Sequence, residues 1–142
     1  MDRVSGSYDY FEHQADMGIL GCGATLAEAF AQGARAMFDL MVELDRVQPL
    51  QRVAIECQGN DQAELFVEWL NRLLAEADIR RMAFSRFQVN RLTESHLQGL
   101  AWGESLDVGR HRPKTEVKAA TYAMLFVGQE REQYVARCVV DL

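Results

Sequence analysis

The sequence predicts an α+β fold: one domain over residues 1–142, built as a mostly antiparallel β-sheet with two amphipathic helices packed on one face. Three observations lead there. Two stretches pair a helix-start signal with an apolar stripe of helical period. The remaining chain falls into short runs in which apolar and polar residues alternate. The order is strand, helix, strand, helix and then four strands, so helices do not intersperse the late strands as a parallel sheet requires. At 142 residues, 49% of them hydrophobic, the chain can bury a proper core without staples.

Tyr8 to Glu12 reads as a short aromatic strand. Gly18, Gly21 and Gly23 then read as a backbone break, and since they lack both the dinucleotide fingerprint and a P-loop lysine, as a turn rather than a phosphate cradle. Thr25-Leu-Ala-Glu28 is a capping box, in which the hydroxyl accepts from the third amide of the helix and the carboxylate reaches back. Leu26, Ala29, Phe30, Ala34, Met37, Phe38 and Met41 follow it as one buried stripe. After Pro49, Arg52 to Gln58 alternates as a half-buried strand. Asp61 and Glu64 repeat the cap logic for a second helix, with Leu65, Phe66, Trp69, Leu70, Leu73 and Leu74 inward and an end near Asp78. Phe84 to Arg91 and His96 to Trp102 predict two antiparallel strands joined around Thr93-Glu94-Ser95. A polar loop from Gly103 to Lys114 leads to a final hairpin that pairs Val117–Val127 with Tyr134–Asp141.

A formal net charge of −6 excludes nucleic-acid binding by blanket phosphate neutralisation, DNA included. The basic stretch Gly109-Arg-His-Arg-Pro-Lys114, with Lys118, is a local exception that reads as a solvated loop. Cys22, Cys57 and Cys138 lack CxxC spacing, so neither a disulfide framework nor a cysteine zinc site is expected, and Cys57 and Cys138 read as small buried hydrophobes. Met1 to Ser7 has no signal-like apolar core, and nowhere do about 18 apolar residues run together. The expectation is a soluble cytoplasmic protein with no membrane segment.

The chemistry concentrates near the two ends. The alternating run Tyr134–Val140 delivers Asp141 and then Leu142, gathering negative charge at one point that calls for a cation or a donor. Glu12, His13 and Asp16 occupy a loop after the first strand, an oxygen-rich set that suits a hard cation such as calcium or magnesium. Spacing leaves two uses open, a cation site or local turn capping by Asp16. If the first strand runs beside the final hairpin, Asp16 meets Asp141. The cysteines read as buried, and His13, His96 and His111 carry no triad signature, so no nucleophile and base pair is evident.

His13-Gln-Ala-Asp16 with Gly18-Ile19, Thr25-Leu-Ala-Glu28-Ala-Phe30, Glu68-Trp-Leu-Asn-Arg-Leu-Leu74, Gly103-Glu104 with Arg110-His111, Glu116-Val-Lys-Ala-Ala-Thr-Tyr122 and Val139-Val-Asp141 occur in the order that archease proteins show. From about Tyr8 to Leu142 the chain resembles that family. The resemblance implies a non-enzymatic protein cofactor of the RtcB-type RNA ligase, which joins RNA ends bearing a 2′,3′-cyclic phosphate or 3′-phosphate to a 5′-hydroxyl in tRNA splicing and RNA repair. The cofactor promotes guanylylation and multiple turnover of the ligase, and meets RNA only through it. A divalent cation is also implied, commonly calcium, with magnesium or manganese as alternatives. Its ligands by position are Asp16, Asp141 and the main-chain or carboxylate oxygens of Leu142. Glu12, His13, Glu104, Arg110, His111 and Lys118 are the implied partner contacts. The chain departs from the family pattern at Gln14, where threonine is usual, and at Ala123, where histidine is usual. Two other uses stay open: a small divalent-metal-dependent phosphoester hydrolase, and a protein-binding adaptor with a structural ion.

Overall fold

Thr25 starts the first helix, α1 (Leu26–Met41), by accepting from the Glu28 amide at 3.1 Å, while the Glu28 carboxylate takes the Ala24 amide at 2.7 Å. The threonine half of the expected box is there, but the glutamate reaches one residue further back than expected, to the Ala24 amide rather than that of Thr25. Asp61 caps α2 (Gln62–Arg80) in the same way, accepting from Glu64 at 2.8 Å. That helix runs past Asp78 and closes on Arg81 in the left-handed region, at φ 54°. These features belong to a computed structural model that describes residues 5–142. Met1 to Val4, part of the N-terminal stretch read above as lacking a signal core, lie outside the described residues.

Among the described residues eight strands form: β1 (Ser7–His13), β2 (Asp16–Gly23), β3 (Gln51–Gln58), β4 (Met82–Leu92), β5 (His96–Ser105), β6 (Ala119–Ala120), β7 (Phe126–Glu130) and β8 (Gln133–Asp141). All pairings are antiparallel, as predicted, but the strands divide between two sheets rather than one. The larger has the order β1-β2-β8-β6, with β7 also on β8; the smaller is β3-β5-β4. Both helices lie against the apolar faces of both sheets, so one helical layer closes two sheets. Trp69 donates from its indole N–H to the Phe30 carbonyl at 3.0 Å, and Phe30 meets Phe66 at 5.0 Å between ring centres, which locks α1 to α2 in the middle of the core.

The glycine cluster is a correction. Gly18, Gly21 and Gly23 lie inside β2, and the turn before them is Gln14-Ala15, with Gln14 at φ 55°. A side chain at Gly21 would strike the Ala29 carbonyl and the Gly33 amide of α1, and one at Gly18 would strike the Phe11 ring. These glycines serve close approach, which periodicity does not distinguish from a turn. The polar loop is also shorter than expected: β5 runs through Gly103 and Glu104 to Ser105, and a one-turn helix, α3 (Val108–His111), follows. The penultimate strand breaks into β6 and β7 because Thr121 gives both its amide and its hydroxyl to the Val139 carbonyl, at 2.9 and 2.8 Å. Ala123 then accepts from the Val139 amide at 3.0 Å, and the segment between arcs across β8.

Candidate functional site

Antiparallel register brings the two ends of the chain together. His13 faces Asp16 across the first hairpin, Met17 faces Val140, and Asp141 faces Ala119. One step beyond the Met17–Val140 pair stand Asp16 and Asp141, on neighbouring strands at one end of the larger sheet. The Leu142 amide donates to Asp16 Oδ1 at 3.2 Å, which closes the junction. Lys118 donates its amide to the Asp141 carbonyl at 2.8 Å.

Supports for this tip come from the helices. Tyr10 donates its hydroxyl to the Ala36 carbonyl at 3.0 Å and Tyr8 to Asp39 at 3.2 Å, tying β1 to α1. Burial, with the Asp39 charge, pushes both phenols up, so they stay protonated donors. Asn71 of α2 acts as a surrogate strand: its amide donates to the Ala120 carbonyl at 3.1 Å and accepts from the Ala120 amide at 2.8 Å. That pair fixes β6, the neighbour of Asp141. In the sequence Asn71 counts only as part of the Glu68–Leu74 motif, although a lone amide on a stripe of Trp69, Leu70, Leu73 and Leu74 is a visible signal.

The donors suit a hard cation. Asp16 is half-buried and Asp141 exposed, and among the described residues neither carboxylate has an ion-pair partner. His13 Nδ1, beside Asp16 in register, is buried without a hydrogen-bond partner. A polar atom left in that state invites a donor or a ligand. Among the described residues no three His, Cys, Asp or Glu side chains are grouped closely enough to hold a metal alone. A cation here would draw on Asp16, Asp141, main-chain oxygens of Leu142 and water, an all-oxygen set.

Of the other expected contact residues, Glu12 and Lys118 are exposed beside the tip, whereas Glu104, Arg110 and His111 form a separate cluster. Glu104 is 6% exposed and His111 0%. The Glu104 carboxylate accepts from the Gln48 amide at 2.7 Å, from His111 Nε2 at 3.0 Å and from Arg110. His111 Nδ1 accepts from the Asp107 amide at 2.9 Å, so the ring carries its proton on Nε2, toward Glu104. The Gln48 amide first, then His111 and Arg110, hold the Glu104 carboxyl below its usual range. Arg110, Arg112, Lys114 and Lys118 are exposed, as a solvated basic stretch requires, whereas the buried Glu104 and His111 side chains brace the segment after β5 and offer a partner almost no surface. Arg110 keeps an exposed flank.

Burial pushes the Cys57 thiol up to about 11 and the Cys138 thiol up to about 12, so neither is a thiolate nucleophile at neutral pH. Among the described residues no helix is long and apolar enough to cross a membrane.

The family model described as the Archease protein family (MTH1598/TM1083) matches residues 8–142. The chain belongs to the archease family. It is 36% identical over 137 residues to the protein archease of Sulfurisphaera tokodaii, covering 95% of this chain and 98% of that one. With the protein archease of Methanopyrus kandleri it shares 38% over 138 residues, 95% of this chain and 99% of the other. Among solved structures, Methanobacterium thermoautotrophicum protein 1598 superposes with a TM-score of 0.79 at 29% identity, over 96% of this chain and 99% of that chain. A Thermotoga maritima protein described as an archease and possible chaperone superposes at 0.61 and 17% identity, over 93% and 94%, which speaks for the fold alone. The α+β fold of the archease family is therefore the fold of this chain, and its early and terminal motifs meet at the acidic tip.

Proposed function

We propose that this protein is a non-enzymatic cytoplasmic activator of an RtcB-type RNA ligase, promoting guanylylation and multiple turnover in tRNA splicing and RNA repair through a divalent cation held at the acidic tip. The observation that carries the reading is the convergence of Asp16 with Asp141 and Leu142 at one sheet end, without an ion-pair partner among the described residues. Membership of the archease family supports it further.

Calcium is the expected ion, with magnesium or manganese as alternatives. A bound divalent ion supplies concentrated positive charge that attracts phosphate oxygens. The chain's own contribution is positional. The β2–β8 register, whose last pair is Met17–Val140, brings Asp16 and Asp141 to the same sheet end, the Lys118 amide fixes the carbonyl of Asp141, and the Leu142 amide orients Asp16. Glu12, His13 and Lys118 form the rim that would meet the ligase, with the exposed flank of Arg110 a more distant contact.

A multiple-turnover ligation assay with the ligase from the same source tests it, reading both ligated product and guanylylated ligase. Wild type should raise both, and Asp16→Ala and Asp141→Ala should not. Turnover of a phosphoester by this protein alone would favour a hydrolase. Cation binding without any effect on the ligase would favour an adaptor with a structural ion.

A further inference from the structure

The smaller sheet turns one face away from both helices, and its chemistry differs from the rest of this acidic chain. Alternation along β3, β4 and β5 leaves Arg52, Trp102 and Arg86 side by side on that face, in cross-strand register. The Arg86 guanidinium lies over the Trp102 indole, 4.7 Å from the ring centre. In the next row Leu100 is flanked by Gln88, and in the row after it Gln98 is flanked by Arg91 on one side and Glu56 on the other. Beside the stacked Arg86, these rows carry Arg52 and Arg91 against one glutamate within a chain of net charge −6.

We infer that this face binds unpaired RNA, one base stacking on the Trp102–Arg86 pair while Arg52 and Arg91 meet the flanking phosphates. Unpaired bases are recognised by stacking on aromatic rings and guanidinium planes, and by hydrogen bonds to their edges. The arginine–indole stack supplies the plane, and Gln88 and Gln98, both exposed, supply amides that can donate and accept. The whole-chain charge excludes binding by blanket neutralisation, but a stacking platform needs only a few local cations. A protein partner fits this face less well. Its apolar content is half-buried Trp102 and Leu100 with little beyond them, far short of the apolar centre of a stable protein interface. The inference does not rest on activation of a ligase, because binding is a property of this protein alone.

Fluorescence anisotropy with a labelled oligouridine decamer tests it on the intact chain, against an RNA duplex of the same length and against polyglutamate as competitor. Wild type should bind the single strand with a dissociation constant on the order of 10 μM and more tightly than the duplex. The salt slope should be shallow, about −1.4 for two phosphates. Trp102→Ala should weaken binding about ten-fold, and Arg52→Glu at least as much. Both variants should melt like wild type, since Trp102 and Arg52 lie outside the core. Equal affinity in wild type and Trp102→Ala, preference for the duplex, or polyglutamate binding without RNA binding would each overturn the inference, the last in favour of an acidic protein partner.

Discussion

Two clusters of carboxylate and imidazole look alike in sequence and do opposite things in the fold. Glu104, Arg110 and His111 are saturated: the glutamate has three donors around it, and both ring nitrogens of the histidine have partners. Asp16, Asp141 and His13 are not. Asp16 accepts one main-chain amide, among the described residues neither carboxylate has a cationic partner, and His13 Nδ1 is buried without a hydrogen bond. Saturation marks charges that hold a fold together, whereas a deficit leaves carboxylates able to take a ligand.

The sharpest test of that contrast is Glu104→Ala. Removing the carboxylate strands the Gln48 amide and the Nε2 proton of the buried His111, so stability should fall by about 3 kcal/mol. Thermal unfolding should show a drop of roughly 8–10 °C. The same residue sets a pH dependence. Its carboxyl is held below the usual range in the fold, so the unfolded chain binds the proton first as pH falls. The stabilisation is complete above the ordinary glutamate value, near 4.5, and is lost as pH drops from there through the lower folded value. Unfolding curves of Glu104→Gln should be flatter than wild type across that acid window.

Next in size is the effect of calcium. At about 100 times the dissociation constant it should stabilise wild type by about 2.7 kcal/mol, while Asp16→Ala and Glu104→Gln part ways. Asp16→Ala should lose the calcium-induced rise in melting temperature, and Glu104→Gln should keep it. Calorimetry giving equal calcium affinity for wild type, Asp16→Ala and Asp141→Ala would remove the cation from the tip.

Asn71→Ala sharpens the comparison from the side of support. It deletes two hydrogen bonds to Ala120, which should lower stability by about 1–2 kcal/mol. By releasing β6 it should also weaken calcium binding, detectable as a right-shifted titration. The smallest effect belongs to Asp16→Ala without calcium, which should unfold within about 0.5 kcal/mol of wild type. A larger loss in chemical denaturation would mean that the tip is a structural cluster like the other.

Much of the fold was legible because its signals are local. The caps at Thr25 and Asp61 need only residues three apart, and the buried faces of Phe30, Phe38, Trp69 and Leu73 follow from helical period. The glycines of β2 were misread because a close helix contact and a turn favour the same residue. Glu104 and His111 were misread because polar residues between a strand and Pro113 look solvated until Gln48 and Asp107, from other parts of the chain, arrive beside them.

By itself the sequence determined the two long helices with their caps, most of the strands, the antiparallel character of their pairing and the absence of a disulfide framework, while β2, the split of β6 from β7 and the short α3 escaped it. What it determined depends on neighbours within a few positions or on composition. Tertiary structure alone decided that the strands separate into two sheets, that Asn71 stands in for a strand beside Ala120, and that Asp16 lies next to Leu142 across 126 residues of chain. Long-range pairing is set by which apolar faces can be covered together, a property of the assembled core and not of any local window. The same assembly satisfied one set of charges and left the other without an ion-pair partner among the described residues.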